Sequence, residues 1–261
     1  MDGNFKDFLN MKAAQYEQPV FIKDDPISIP HRFKKKQDIE IAGFFAAILA
    51  WGNRKSIINS CNKLLTCMDD APYDFIMNFE EEDLKPFIGF AHRTFNATDL
   101  FHFLAFLQHH YKILGEESLE NAFTKHFNQD DTNIENALTG FHQSFFDDKI
   151  FPDYPARTRK HIATPARKSA CKRLNMFLRW MVRPSARGVD FGIWKNIKPA
   201  HLVCPLDLHV SRVARHFKLL SRPVNDWLAA IELTANLKEM DGDDPVKYDY
   251  ALFGVGVIEK F

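Results

Sequence analysis

The stretch Cys204-Pro205-Leu206-Asp207-Leu208-His209-Val210-Ser211-Arg212-Val213 is the most informative in the chain. Asp207 stands just before a run whose apolar positions, Val210, Val213, Ala214 and Phe217, repeat with helical spacing. An Asp at that point accepts hydrogen bonds from the first free backbone N–H groups of the helix, and the partial positive charge of the helix N-terminus complements a carboxylate. Capping alone accounts for the residue. The same physics suits chemistry. A carboxylate anchored at a helix start is rigid, charged and preorganised, able to stabilise a developing cation or to accept a proton.

Outward from this stretch the texture is helical almost throughout. Only 11 of 261 residues are Gly, and strict apolar/polar alternation is hard to find. Residues 4–15 predict a short amphipathic helix, and residues 23–36, with Pro26 and Pro30, an extended loop. A helix from Asp38 carries Ile41, Phe44, Phe45, Ile48 and Leu49 and breaks at Gly52-Asn53. A second carries Ile57, Ile58, Cys61, Leu64, Leu65 and Met68. Pro72 suits the first position of a helix over 73–78. Residues 96–114 predict one long helix. Ser118 is an expected cap for a helix to 127, and Asp131 or Thr132 for one to 145. Residues 149–168, with Pro152, Pro155 and Pro165, read as a loop or hairpin and as the best boundary between two helical lobes. Helices follow at 169–183, 207–219, 223–238 and 244–258.

The 34 basic and 34 acidic side chains cancel, which excludes indiscriminate coating of nucleic acid. The cancellation is uneven. Residues 80–83 are all acidic, and residues 239–244 hold four more acids. Between 156 and 187 lie ten Lys or Arg and no Asp or Glu. That basic segment is what a phosphate-binding face needs; a solvated helix face is the plainer alternative. Within it Leu174, Phe177, Leu178, Met181 and Val182 make an apolar stripe. Lys172, Arg179 and Arg183, at i, i+7 and i+11, make a second stripe, expected to present cations in a row. Trp180 lies near its edge, where it either packs in the core or stacks on an arginine or a base.

Pro205-Leu206-Asp207-Leu208-His209-Val210-Ser211-Arg212-Val213 resembles the helix start that bears the catalytic Asp in the helix–hairpin–helix DNA glycosylase superfamily. Residues 244–254, Asp-Pro-Val-Lys-Tyr-Asp-Tyr-Ala-Leu-Phe-Gly, are similar to the late helix of those enzymes. Ile48-Leu49-Ala50-Trp51-Gly52-Asn53-Arg54 resembles their early helix–turn–helix, whose polar turn residue fills the gap left by an extruded base; Asn53 is the counterpart here. Residues 20–261 also resemble domain of unknown function 2400, a bacterial family. Thr164-Pro165-Ala166-Arg167-Lys168-Ser169-Ala170-Cys171-Lys172 stands where the superfamily hairpin reads Leu-Pro-Gly-Val-Gly. Both glycines are missing, so side-chain cations are expected to replace a backbone phosphate cradle. Lys172 occupies the place of the catalytic Lys of bifunctional members, with Lys168 the second choice. The long separation of Lys172 from Asp207 is closer to the archaeal GO glycosylase branch.

The resemblance implies an all-α, two-lobed helix–hairpin–helix DNA glycosylase-like fold over residues 1–261, with a cleft between the lobes and a basic hairpin region at about 156–187. It implies a DNA base-excision repair glycosylase with AP-lyase activity, acting on a damaged base such as an oxidised purine, with Asp207 and Lys172 catalytic. Nucleic-acid contacts are expected from Asn53, Arg54, Arg167, Lys168, Arg173, Arg179, Arg183, His209 and Arg212. The expected partner is double-stranded DNA, met by a monomer without a cofactor. A binding module on the same fold that has lost catalysis, and a helical protein-interaction module, are the alternatives.

Other chemistries find less support. The 11 His form no compact ligand cluster, no HExxH occurs, and Cys61, Cys67, Cys171 and Cys204 show no CxxC spacing. No phosphate-binding Gly loop or nucleophile elbow is present. The longest apolar run, 41–51, is about half a membrane span. With no secretory signal, the cysteines read as reduced thiols of a cytoplasmic protein.

Overall fold

Caps and turns divide the apolar periodicity into twelve α-helices and several 3₁₀ turns, as seen in a computed structural model that describes residues 3–259 and 261. In chain order these are α1 (Gly3–Tyr16), α2 (Pro19–Ile22), α3 (Lys36–Ile48), α4 (Arg54–Thr66), α5 (Pro72–Asn78), α6 (Ala97–Gln108), α7 (Glu120–Thr124), α8 (Glu135–Phe145), α9 (Lys172–Val182), α10 (Leu208–His216), α11 (Trp227–Lys238) and α12 (Tyr248–Val257). Among the described residues the fold is all-α but for one hairpin, β1 (Ala91–His92) with β2 (Phe95–Asn96), paired antiparallel. Its turn rests on Arg93, which adopts a left-handed φ of 55°. Among the described residues no helix is long and apolar enough to cross a membrane.

The chain forms two compact units. The first takes residues up to Lys23, Phe127–Thr139 and Ala163 onward; the second takes Asp24–His126 and Gly140–Ile162. The second unit is built on aromatic rings. Phe103 lies between Phe95, at 5.2 Å, and Phe145, at 4.8 Å, with Phe44 stacked on it at 5.6 Å. Offset and edge-on contacts of this kind are what a Phe-rich sequence can use in place of aliphatic packing. Its buried acids are satisfied. Glu40 is fully buried and accepts from the Tyr111 hydroxyl at 2.8 Å, from Ser118 and from the Leu119 amide. Asp99 accepts from Thr158 and pairs with Arg157 and His161.

Several boundaries differ from the periodicity. The expected long helix over 96–114 ends as α-helix at Gln108 and continues as a π turn, His109–Ile113. Asn96 caps it, exchanging side-chain and backbone bonds with Asp99. The helix expected from Ser118 shortens to α7, because the Ser118 hydroxyl donates to Glu40 and accepts from the Glu120 amide in a turn. Asn133, not Asp131 or Thr132, accepts from the Glu135 amide at the start of α8.

In the first unit α1 packs along α12 at close range. A methyl group on Gly254 would lie 2.0 Å from the Tyr16 ring, whose hydroxyl donates to Glu259. Gly254→Ala must therefore displace a packed ring, not a flexible chain end. The expected cost is about 1–3 kcal/mol, read as a lowered urea midpoint with an unchanged slope; a midpoint equal to that of the wild type would show that α1 is not docked there.

Candidate active site

Asp207 is delivered to the surface by a buried extended segment. Leu202, Val203 and Cys204 have no exposure and Leu206 has 3%, while the Cys204 amide donates to Thr234 on α11 at 3.0 Å. The chain then turns into α10, and Asp207 caps it. One oxygen, Oδ1, accepts from both the His209 and Val210 amides at 2.9 Å. The other, Oδ2, lies 3.9 Å from Lys172 Nζ. The carboxylate thus divides its work: one oxygen fixes the helix start and the other faces an amine. Both side chains remain partly open to solvent, 21% for Asp207 and 32% for Lys172. On the other side α12 comes so near α10 that a methyl on Gly256 would meet Val213 at 3.1 Å, and the Gly256 carbonyl accepts from Arg212 at 3.1 Å.

Lys172 opens α9. The residues leading to it form a 3₁₀ turn, Pro165–Arg167, and then an irregular link. No α-helix enters this link from upstream; the segment before it carries the 3₁₀ turn Ala156–Lys160. A hairpin between two α-helices is therefore not what these residues form. The backbone nevertheless takes glycine-like conformations without glycine, with φ of 61° at Lys168 and 48° at Cys171. Such conformations strain ordinary side chains, and tertiary contacts hold them. The Lys168 carbonyl accepts from the Trp227 amide at 3.1 Å, and Ser169 bridges to Asp226. Arg167 and Lys168 are exposed beside this link.

The expected row of outward-facing cations is corrected. Arg179 and Arg183 are 6% and 5% exposed. Arg179 bonds Asp249, reaches Asp190 at 3.3 Å and the Tyr250 hydroxyl at 3.2 Å. Arg183 grips Glu17 with both Nη atoms, at 2.6 and 3.0 Å, and reaches Asp190 at 3.0 Å and Asp244 at 2.7 Å. Guanidiniums committed to buried carboxylates offer no charge to a phosphate. Trp180 is fully buried as well, which assigns it to the core. Arg173 is half-buried, and burial draws its guanidinium down to about 10.

His209 and Arg212 are exposed on α10. Asn53 and Arg54 belong to the second unit, the other nine candidates to the first. Asn53 is exposed and caps α4, its side chain accepting from the Ser56 amide at 3.3 Å. Arg54 pairs with Asp25 at 3.9 Å. Gly52 has a φ of 106°, and a methyl there would lie 2.7 Å from the Arg93 guanidinium, so the turn before Asn53 needs its glycine.

One residue of this region escaped the sequence reading. Asp249, on α12, is 6% exposed and feels the charges of both Asp207 and Lys172. Cys204 lies in the same neighbourhood, and burial, with Asp249 and Asp207 adding, pushes its thiol far above the usual range. It is no nucleophile. Among the described residues no group of three His, Cys, Asp or Glu is gathered to hold a metal ion.

Residues 25–258 match the family of proteins of unknown function DUF2400. The chain belongs to the DUF2400 family. No curated protein and no solved structure matches it. The matched span contains α3 through α12, and so includes Lys172, Asp207 and Asp249. In this DUF2400 member, Glu17 lies before the matched span yet pairs with Arg183 inside it.

Proposed function

We propose that this DUF2400 protein is a DNA base-excision repair enzyme, a glycosylase with AP-lyase activity whose catalytic pair is Lys172 and Asp207. The observation that carries the reading is the pair itself. An amine and a carboxylate stand 3.9 Å apart, the carboxylate locked by two backbone amides, with solvent access for a substrate. Cleavage of a glycosidic bond develops positive charge on the sugar, and a preorganised carboxylate lowers the energy of that state. A damaged base, an oxidised purine in the first instance, is extruded from the duplex to reach such a pair. Lys172, once its ammonium has given a proton to water, attacks C1′ as the base departs, and the ring oxygen leaves as a hydroxyl, giving a Schiff base that permits strand cleavage by elimination.

Fewer cations serve DNA than the basic segment promised. With Arg179 and Arg183 withdrawn, contacts with phosphate fall to the exposed Arg167 and Lys168 and to His209 and Arg212 on α10. A small set of contacts predicts a shallow dependence of binding on salt. The test incubates the protein with duplexes carrying single lesions and follows base release and strand scission. Release with scission is the expected result. Binding without product would reduce the protein to a non-catalytic binder, and no binding at low salt would end the nucleic-acid reading.

A further inference from the structure

The second unit holds an open cavity of about 450 Å³, which shares no residue with the Lys172–Asp207 pair of the first unit. That volume lies in the range of small-molecule sites, about 300–1,000 Å³. Lys125, His126 and Arg159 bring cationic and ring donors to it, and Asp147 and Asp148 bring carboxylates. Much of the lining is held in place. The Arg159 guanidinium donates to the Tyr154 hydroxyl through Nε, at 2.7 Å, and through Nη2. It also lies over the Phe146 and Tyr154 rings, 5.6 and 5.1 Å from their centres. Among the described residues its Nη1 has no hydrogen-bond partner. The His126 ring abuts α8 where residue 140 is glycine; a methyl group there would lie 2.3 Å from the ring. His142, 9% exposed, also lines the cavity and packs its ring on Phe146 at 5.0 Å. Asp147 is set by its own turn, Oδ1 accepting from the Lys149 amide at 3.0 Å.

Opposite charges that share a cavity attract one another and pair when they can meet. Here they do not. Among the described residues none of Lys125, Arg159, Asp147 and Asp148 joins an ion pair. The space that keeps them apart has the polarity of a ligand with two unlike ends.

We propose that this cavity is a binding site for a small sugar phosphate, with the phosphate on Lys125, His126 and Arg159 and the hydroxyls on Asp147 and Asp148. A phosphate monoester takes charge-assisted hydrogen bonds from a guanidinium and an ammonium. Arg159, already stacked and held at one edge, loses little freedom in making them. The two carboxylates decide what the rest of the ligand is. They repel a bare phosphate, whereas hydroxyl groups donate to them, and the body of the sugar keeps the phosphate at the cationic end. Gln143 and Ser144, which also line the cavity, add an amide and a hydroxyl for the same groups. The site stands independently of the reaction proposed for Lys172 and Asp207.

Titration calorimetry of the full chain with ribose 5-phosphate, inorganic phosphate and ribose tests this. Ribose 5-phosphate is expected to bind once per chain, and the two fragments at least about tenfold more weakly. Lys125 and Asp148 are exposed, so their variants are expected to melt with the wild type. Lys125→Gln weakens ribose 5-phosphate by roughly tenfold. Asp148→Asn weakens ribose 5-phosphate but leaves inorganic phosphate bound no less tightly, because a repelling charge has gone. Absence of ribose 5-phosphate binding at millimolar concentration, or an affinity unchanged in either variant, overturns the proposal. Equal affinity for inorganic phosphate and ribose 5-phosphate overturns it as well, since the carboxylates then select nothing. A 5′-phosphorylated dinucleotide that displaces ribose 5-phosphate at equal concentration would assign the cavity to strand ends and contradict a small-molecule site.

Discussion

Arg183→Ala is expected to lower the stability of the protein by about 3–5 kcal/mol, the cost of leaving buried charges without their partner. Three carboxylates converge on Arg183, from Glu17, Asp190 and Asp244, and its own side chain is 6% exposed. The pH dependence separates this from a simple packing loss. Burial works to raise the Glu17 carboxyl, but the hydrogen bonds and charge of Arg183 outweigh it, and the net direction is down. A depressed carboxyl contributes stability above its unfolded-state value, and that contribution is lost as pH falls through the folded one. In Arg183→Ala the sign reverses at Glu17, whose burial then raises its carboxyl as burial already raises that of Asp244, so the variant gains stability on acidification. The difference between the two proteins is expected to be largest near pH 7 and to shrink toward pH 4. Urea titrations at both values measure it. A loss below about 1 kcal/mol, or one that does not change with pH, would show that the cluster is not the buried unit described.

The second large effect separates capping from chemistry at Asp207. Serine caps helices about as well as aspartate, whereas alanine costs about 1 kcal/mol. Asp207→Ser is therefore expected to unfold within about 0.5 kcal/mol of the wild type and Asp207→Ala to be measurably weaker. Both lose the oxygen that faces Lys172. Both are expected to release base at least about 10²-fold more slowly, the scale for removing a preorganised group opposite developing charge. Base release by Asp207→Ser at the wild-type rate would reduce Asp207 to a cap.

The parts of this account legible in the sequence are those governed by local rules. The Asp207 cap and the apolar faces of α9 and α10 follow from spacing and from turn chemistry and stand where expected, whereas residues 23–36, read as an extended loop, wind into the 3₁₀ turns Pro26–Ser28 and Pro30–Arg32. What was not legible depends on residues far apart in the chain. The spacing of Lys172, Arg179 and Arg183 defines one helix face, but it is silent about what lies opposite. Carboxylates from Glu17, Asp244 and Asp249 fold onto that face, and two of the three cations turn inward. Asp249 was hidden for the same reason. Its one local signal is an acid set between Tyr248 and Tyr250 in an otherwise apolar helix, a position that helical packing buries. The left-handed backbone at Lys168 and Cys171 could not be read from residues that disfavour it; at Lys168 it accompanies pairing with Trp227 and, through Ser169, with Asp226.

The most direct measurement is the site of covalent attachment. The protein is incubated with a duplex carrying a single oxidised purine, borohydride is added to reduce any imine, and the trapped adduct is digested and mapped by mass spectrometry. The expected result is a deoxyribose-bearing peptide modified at Lys172, with no adduct formed by Lys172→Gln. Modification at Lys168, or a Lys172→Gln protein that traps as well as the wild type, would contradict the assignment of Lys172 as the nucleophile beside Asp207.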